Sequence, residues 1–117
     1  MACQVSIALS LKEEVFKKFK QESKDIFKQM YSLKDSPNKG KLLGNVGGIL
    51  IKELRYNSFR FYFITDGYKL KLMNQSEIED ILIRFVRMSD KKDQQETINE
   101  IREVLREVGE QGFKDII

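Results

Sequence analysis

K-E-L-R-Y-N-S-F-R-F-Y-F-I-T-D-G, residues Lys52 to Gly67, carries the clearest pattern in the chain. Phe59, Phe61 and Phe63 alternate with Arg60, Tyr62 and Ile64. In a pleated strand that alternation sends three rings to one face and an arginine and a tyrosine to the other. The first face reads as core and the second as a surface. Just upstream, Leu50 and Leu54 share one parity, Ile51, Glu53 and Arg55 share the other, and Asn57-Ser58 is a two-residue connection suited to a hairpin. Paired in this way, Arg55 and Arg60 share the non-core face. Adjacent guanidiniums repel, so two readings stand: a solvated strand face, or a site that receives an anion.

Downstream, Asp66-Gly67 reads as a second hairpin turn. A further strand is expected at Tyr68 to Met73, at Asp80 to Met88, or at both. In the later run Ile81, Ile83 and Phe85 fall on one face and Arg84 with Val86 on the other. Arg84 then joins Arg55 and Arg60 if the strands are neighbours, with Arg87, Lys91 and Lys92 at the strand end. Cations converging from separate strands suggest a site, whereas a single charge run is usually solvated. Glu77, Glu79 and Asp80 lack calcium-loop spacing and read as capping or solvating a turn. The terminal helix opens with a capping box from Asp93 to Glu96, repeats apolar residues at Ile98, Ile101, Leu105 and Val108, and closes at Gly109. It is expected to pack on the sheet edge.

Upstream, Gln4 to Leu9 reads as a strand with Val5, Ile7 and Leu9 on one face. Ser10 and Glu13 form a capping box, and Leu11, Val15, Phe16 and Phe19 make an apolar stripe continued by Ile26, Phe27, Met30 and Leu33. One helix from Leu11 to Lys34 would be about 36 Å long at ~1.5 Å per residue, too long for a small domain. Two helices broken near Glu22-Ser23 are expected instead. Asp35 to Gly48 reads as a glycine-rich loop, without the spacing of a phosphate-binding loop, from which Lys39 and Lys41 can touch a phosphate backbone.

The whole chain has 117 residues, 41% apolar and 33% charged, as expected of one α+β domain: an N-terminal strand, a helical hairpin, an antiparallel sheet of about four strands and a C-terminal helix. No apolar run approaches a membrane span and the first residues do not read as a secretory signal, so a cytoplasmic protein is expected. Histidine is absent and Cys3 is the only cysteine. Serine or cysteine chemistry based on histidine is excluded, as is a structural zinc site, and no metal or cofactor is expected. Cys3 itself reads as an inert strand residue. The net charge of +3 is unevenly spread: residues 1 to 35 carry +2, 36 to 92 carry +5 and 93 to 117 carry −4. A basic middle segment points to a polyanionic or acidic partner.

Taken in order, S-L-K-D-S-P-N-K-G-K-L-L-G (Ser32 to Gly44), E-L-R (Glu53 to Arg55) before F-R-F-Y-F (Phe59 to Phe63), and I-R-F-V-R-M-S-D-K-K (Ile83 to Lys92) before a terminal helix resemble the RelE/ParE superfamily of type II toxins, most of all its HigB-like branch. The resemblance implies a small endoribonuclease that cuts mRNA on the ribosome and is silenced by a co-expressed antitoxin. It implies that Arg55, Arg60, Arg84 and Arg87 stabilise the transition-state charge, with Lys52, Lys91 and Lys92 as secondary contacts. Tyr56 and Tyr62 either stack on a base or pack. With no histidine and no tyrosine beyond Tyr68, the proton carrier is not identified. A ParE-type inhibitor of a topoisomerase and a non-catalytic RNA-binding relative are the alternatives.

Overall fold

Two facing runs of alternating residues build the centre of the structure. In the computed structural model, which describes residues 3–73 and 81–109, strands β3 (Ile49–Tyr56) and β4 (Phe59–Asp66) form the expected hairpin. Tyr56 pairs with Phe59 and Arg55 lies directly opposite Arg60. Asn57 takes the left-handed φ of 55° that the two-residue loop needs, which asparagine tolerates better than most residues.

Around this hairpin lies an α+β arrangement: β1 (Cys3–Ile7), α1 (Leu9–Phe19), α2 (Ser23–Tyr31), β2 (Lys41–Val46), β3, β4, α3 (Gly67–Met73), β5 (Ile81–Asp90) and α4 (Gln94–Val108). The strands form one five-stranded sheet in the order β1-β5-β4-β3-β2. All neighbours are antiparallel except β1 and β5, which run parallel from Cys3 opposite Ile81 to Ile7 opposite Phe85.

The expected break between the first two helices is present. Lys20 adopts φ 53°, a short 3-10 turn spans Lys20–Glu22, and the Ser23 hydroxyl donates to the Lys20 carbonyl at 2.5 Å. The chain doubles back there, as Phe16 and Phe27 meet edge to face at 5.1 Å. The Ser10 capping box does not form, because α1 begins at Leu9 with Ala8 as its cap. At α4 the Asp93 side chain makes no cap bond either; Thr97 Oγ1 donates to the Asp93 carbonyl and Asp90 Oδ1 accepts from the Asp93 amide. Gly109 closes α4 with φ 73° and donates to the Leu105 carbonyl.

Three expectations are corrected. The glycine-rich loop contains the edge strand β2, bent by a register shift between Leu42 and Gly44 where Arg102 of α4 lies against the glycine and donates to the Leu43 carbonyl at 3.3 Å. A side chain at position 44 would collide with that guanidinium, so glycine is there for close approach and does not interrupt the strand. Asp66-Gly67 is not a hairpin turn: Asp66 Oδ1 accepts from the amides of Tyr68 and Lys69 at 3.0 and 3.1 Å, and these bonds start α3 where a strand was an option. Finally, α4 lies on the sheet face and not on its edge. The turn expected from Glu77, Glu79 and Asp80 falls outside the described residues.

Both faces of the sheet are therefore covered. Helices α1 and α2 bury Leu11, Val15, Ile26 and Met30 with Phe61, Phe63, Ile83 and Phe85. On the other face Ile98, Ile101 and Leu105 of α4 pack with Ile51, Tyr62, Ile64 and Val86. The face that alternation marked as a surface is half core. Among the described residues no helix is long and apolar enough to cross a membrane.

Candidate functional site

The α4 face carries most of the residues singled out by sequence, arranged in rows across the strands. One row sets Arg55, Arg60 and Ser89 side by side, the next on that face sets Lys41, Glu53, Tyr62 and Arg87, and a third sets Ile51, Ile64 and Arg84. The third row and part of the second lie among the apolar contacts of α4. The first row lies at the end of the sheet that carries the Asn57-Ser58 loop.

In that first row the two arginines do not simply repel, because Glu53 sits between them. Its side chain is 1% exposed, its Oε2 accepts from Arg55 Nε at 3.0 Å, and its Oε1 is 4.0 Å from Arg60 Nε. The two arginines differ sharply in access: the Arg55 side chain is 56% exposed and that of Arg60 is 7% exposed. Arg60 Nη1 also donates to the Ser58 carbonyl at 3.2 Å. The expectation that Arg60 faces solvent is overturned: it is buried beside the Glu53 carboxylate, whose opposite charge offsets part of the cost of desolvating the guanidinium.

Tyr62 is fully buried, with its hydroxyl 2.7 Å from Ser89 Oγ. Burial pushes its phenol above the ordinary value, only partly offset by the serine hydrogen bond. It packs and does not offer a stacking surface. Tyr56 also packs, its ring edge to face with Phe19 and its hydroxyl donating to Glu22 Oε2 at 3.0 Å, a bond that raises the phenol's pKa.

The other expected cations are spread out. Arg84 is buried on the same face but lies opposite Ile64, four residues along β4 from Arg60, or about 13 Å at ~3.3 Å per residue. Arg87 lies opposite Tyr62 and is engaged at 2.5 Å by Glu100 of α4, while its Nη1 donates to the Val86 carbonyl. Lys52 has the opposite parity: it is buried on the α1/α2 side, donates to the Asn38 carbonyl at 3.0 Å and lies 5.9 Å from the Phe63 ring. Burial lowers its pKa. Lys41, Lys91 and Lys92 are exposed, the first opposite Glu53 on β2 and the other two directly after β5, whose last residue, Asp90, pairs with Phe59.

The structure thus brings Arg55 and Arg60 together, sets Lys41, Lys91 and Lys92 toward the same end of the sheet, and places Arg84, Arg87 and Lys52 elsewhere. Sequence reasoning missed Glu53 as the group between the arginines, although its parity with Arg55 was plain. It also missed Glu100 as the partner of Arg87, for which no local signal exists across 13 residues. Among the described residues, no three histidine, cysteine or acidic side chains converge in a way that would hold a metal. No protein-family profile matches the chain, and no curated protein or solved structure matches it significantly.

Proposed function

We propose that the chain is a toxin of the RelE/ParE type: an mRNA endoribonuclease that works on the ribosome, with the Arg55 end of its sheet against the RNA and a co-expressed antitoxin to silence it. The observation that carries this reading is the exposed guanidinium of Arg55, tied to Glu53 beside Arg60 at an end of the sheet shared with Lys41, Lys91 and Lys92. The succession of strand, two helices, antiparallel meander and terminal helix adds support, although a fold alone does not carry a function.

In this reading the RNA 2′-oxygen attacks the adjacent phosphate in line and gives up its proton to water. The P–O5′ bond breaks to leave a 2′,3′-cyclic phosphate, the departing 5′-oxygen takes a proton from water, and N–H donors of Arg55 take up charge on the phosphate oxygens. With histidine absent and Tyr62 buried, the protein's part is to hold and neutralise the RNA, and the ribosome imposes the in-line geometry. A second reading, an RNA-binding relative that does not cut, is favoured by one fact: of the four expected catalytic arginines, Arg60 and Arg84 are buried and Arg87 is engaged by α4.

Primer extension on cellular mRNA after induction separates the readings. Discrete breaks that vanish in Arg55→Ala are expected. Intact mRNA with arrested translation points to the non-cutting relative, and intact mRNA with blocked DNA supercoiling to a ParE-type inhibitor. In vitro, a labelled transcript should be cut with programmed ribosomes and left largely whole without them.

A further inference from the structure

Arg60 and Glu53 cannot both be direct RNA contacts, since their side chains are 7% and 1% exposed. Their geometry instead fits a support for Arg55. The Nε bond to Glu53 uses one of the five donors of the Arg55 guanidinium and fixes its plane. Among the described residues Nη1 and Nη2 of Arg55 have no acceptor, so the end of the fork is left for a ligand. Two parallel N–H groups at that end match two oxygens of a phosphate. Glu53 in turn needs a counter-charge because a buried carboxylate is costly alone, and Arg60 supplies one that solvent barely reaches. Glu53 Oε1 and Arg60 Nε are buried without a hydrogen-bond partner and stand 4.0 Å apart, so the contact between them is electrostatic. It fixes the carboxylate without competing for the Oε2 that holds Arg55.

We infer that Arg60 and Glu53 are positioning residues which present Nη1 and Nη2 of Arg55 end-on to a phosphodiester of RNA, Arg55 alone of the three touching it. The inference rests on the RNA reading above and assigns the roles within that site. A resident carboxylate that merely competed with RNA for Arg55 would have the opposite signature, since neutralising it would tighten binding.

The test uses the full chain in two arms. In the first, binding of a short single-stranded RNA oligonucleotide is followed by fluorescence anisotropy for wild type, Arg55→Ala, Glu53→Gln and the double variant. Glu53→Gln should weaken binding about three- to tenfold when Arg55 is present and change nothing when it is alanine, as coupled residues do. Additive effects, or tighter binding in Glu53→Gln, overturn the inference. In the second arm, exchange of the Arg55 Nε–H with water is measured by NMR without RNA. It should be slow in wild type and faster in both Glu53→Gln and Arg60→Met, although Arg60 makes no hydrogen bond to Arg55. Unchanged exchange in Arg60→Met overturns the inference. If Glu53→Gln does not fold, Glu53→Asp, which shortens the reach to Nε, should give the same losses in both arms, and wild-type behaviour overturns the inference. A wild type that binds no RNA defeats the RNA reading, while the exchange arm still judges the support.

Discussion

Arg55 and Arg60 face one another on adjacent strands, yet their removal should have unlike costs. Arg60→Ala removes the buried counter-charge of Glu53 and is expected to destabilise by about 3 to 5 kcal/mol, whereas Arg55→Ala removes the hydrogen bond to that carboxylate but leaves Arg60 beside it and should cost about 1 to 3 kcal/mol. Urea denaturation of the two variants checks this, and equal midpoints would refute it. A second residue-scale consequence concerns pH. Burial holds Lys52 below the ordinary lysine value, so the folded chain binds fewer protons than the unfolded one and stability should rise with pH up to about 10.4, then level off. Tyr62 is raised, so it keeps a proton that the unfolded chain loses, and stability should fall as pH climbs past about 10. In urea midpoints measured from pH 7 to 11, Lys52→Met should flatten the rise and Tyr62→Phe should lessen the fall, to which Cys3 and Tyr56, also raised, contribute with the same sign. A rise that persists in Lys52→Met excludes that ammonium as its source. Which face each of these residues occupies was legible from parity alone. Its burial was not, because parity says nothing of what lands on the face.

What lands there is α4, and at the scale of elements it is the larger surprise. Of its stripe, Ile98, Ile101 and Leu105 are buried as read while Val108 is exposed, and a stripe does not name the surface it meets. Only the sheet order and the apolar patch of Ile51, Ile64 and Val86 among the charged residues of that face decide it. Ile101→Ala should cost about 2 to 5 kcal/mol, because Ile101 is fully buried against the sheet. A loss below about 1 kcal/mol in thermal or urea melts would mean that α4 is only loosely applied. The hairpin of β3 and β4 was legible from strict alternation, a local cause, and the break between α1 and α2 from a length limit set by the size of the whole domain. Strand β2 and helix α3 were not, since Gly44 owes its place to Arg102, 58 residues away in the chain, and Asp66 caps a helix where the Asp-Gly pair suggested a turn.

For the molecule as a whole, covering both faces of the sheet leaves one end where strand cations reach solvent. The exposed candidates there are Arg55, Lys41, Lys91 and Lys92, since Arg60 is buried and Lys52 lies under the opposite face. That number sets the expected salt dependence of RNA binding. Each single-stranded phosphate neutralised contributes a slope of about −0.7 to log K against log salt, so four contacts give about −3. Titrations of a short single-stranded RNA at several salt concentrations measure the slope directly. A value near zero would mean that this end of the sheet does not hold the phosphates. A value near −6 would require further cations, and the exposed Lys17, Lys18, Lys20 and Lys24 around the turn between α1 and α2 are numerous enough to supply them. Lys18 already lies 5.0 Å above the Phe59 ring, next to the loop end of β4, so its replacement by alanine distinguishes the two footprints: the slope stays near −3 if RNA is confined to the strand cations and becomes shallower if it extends across the helices.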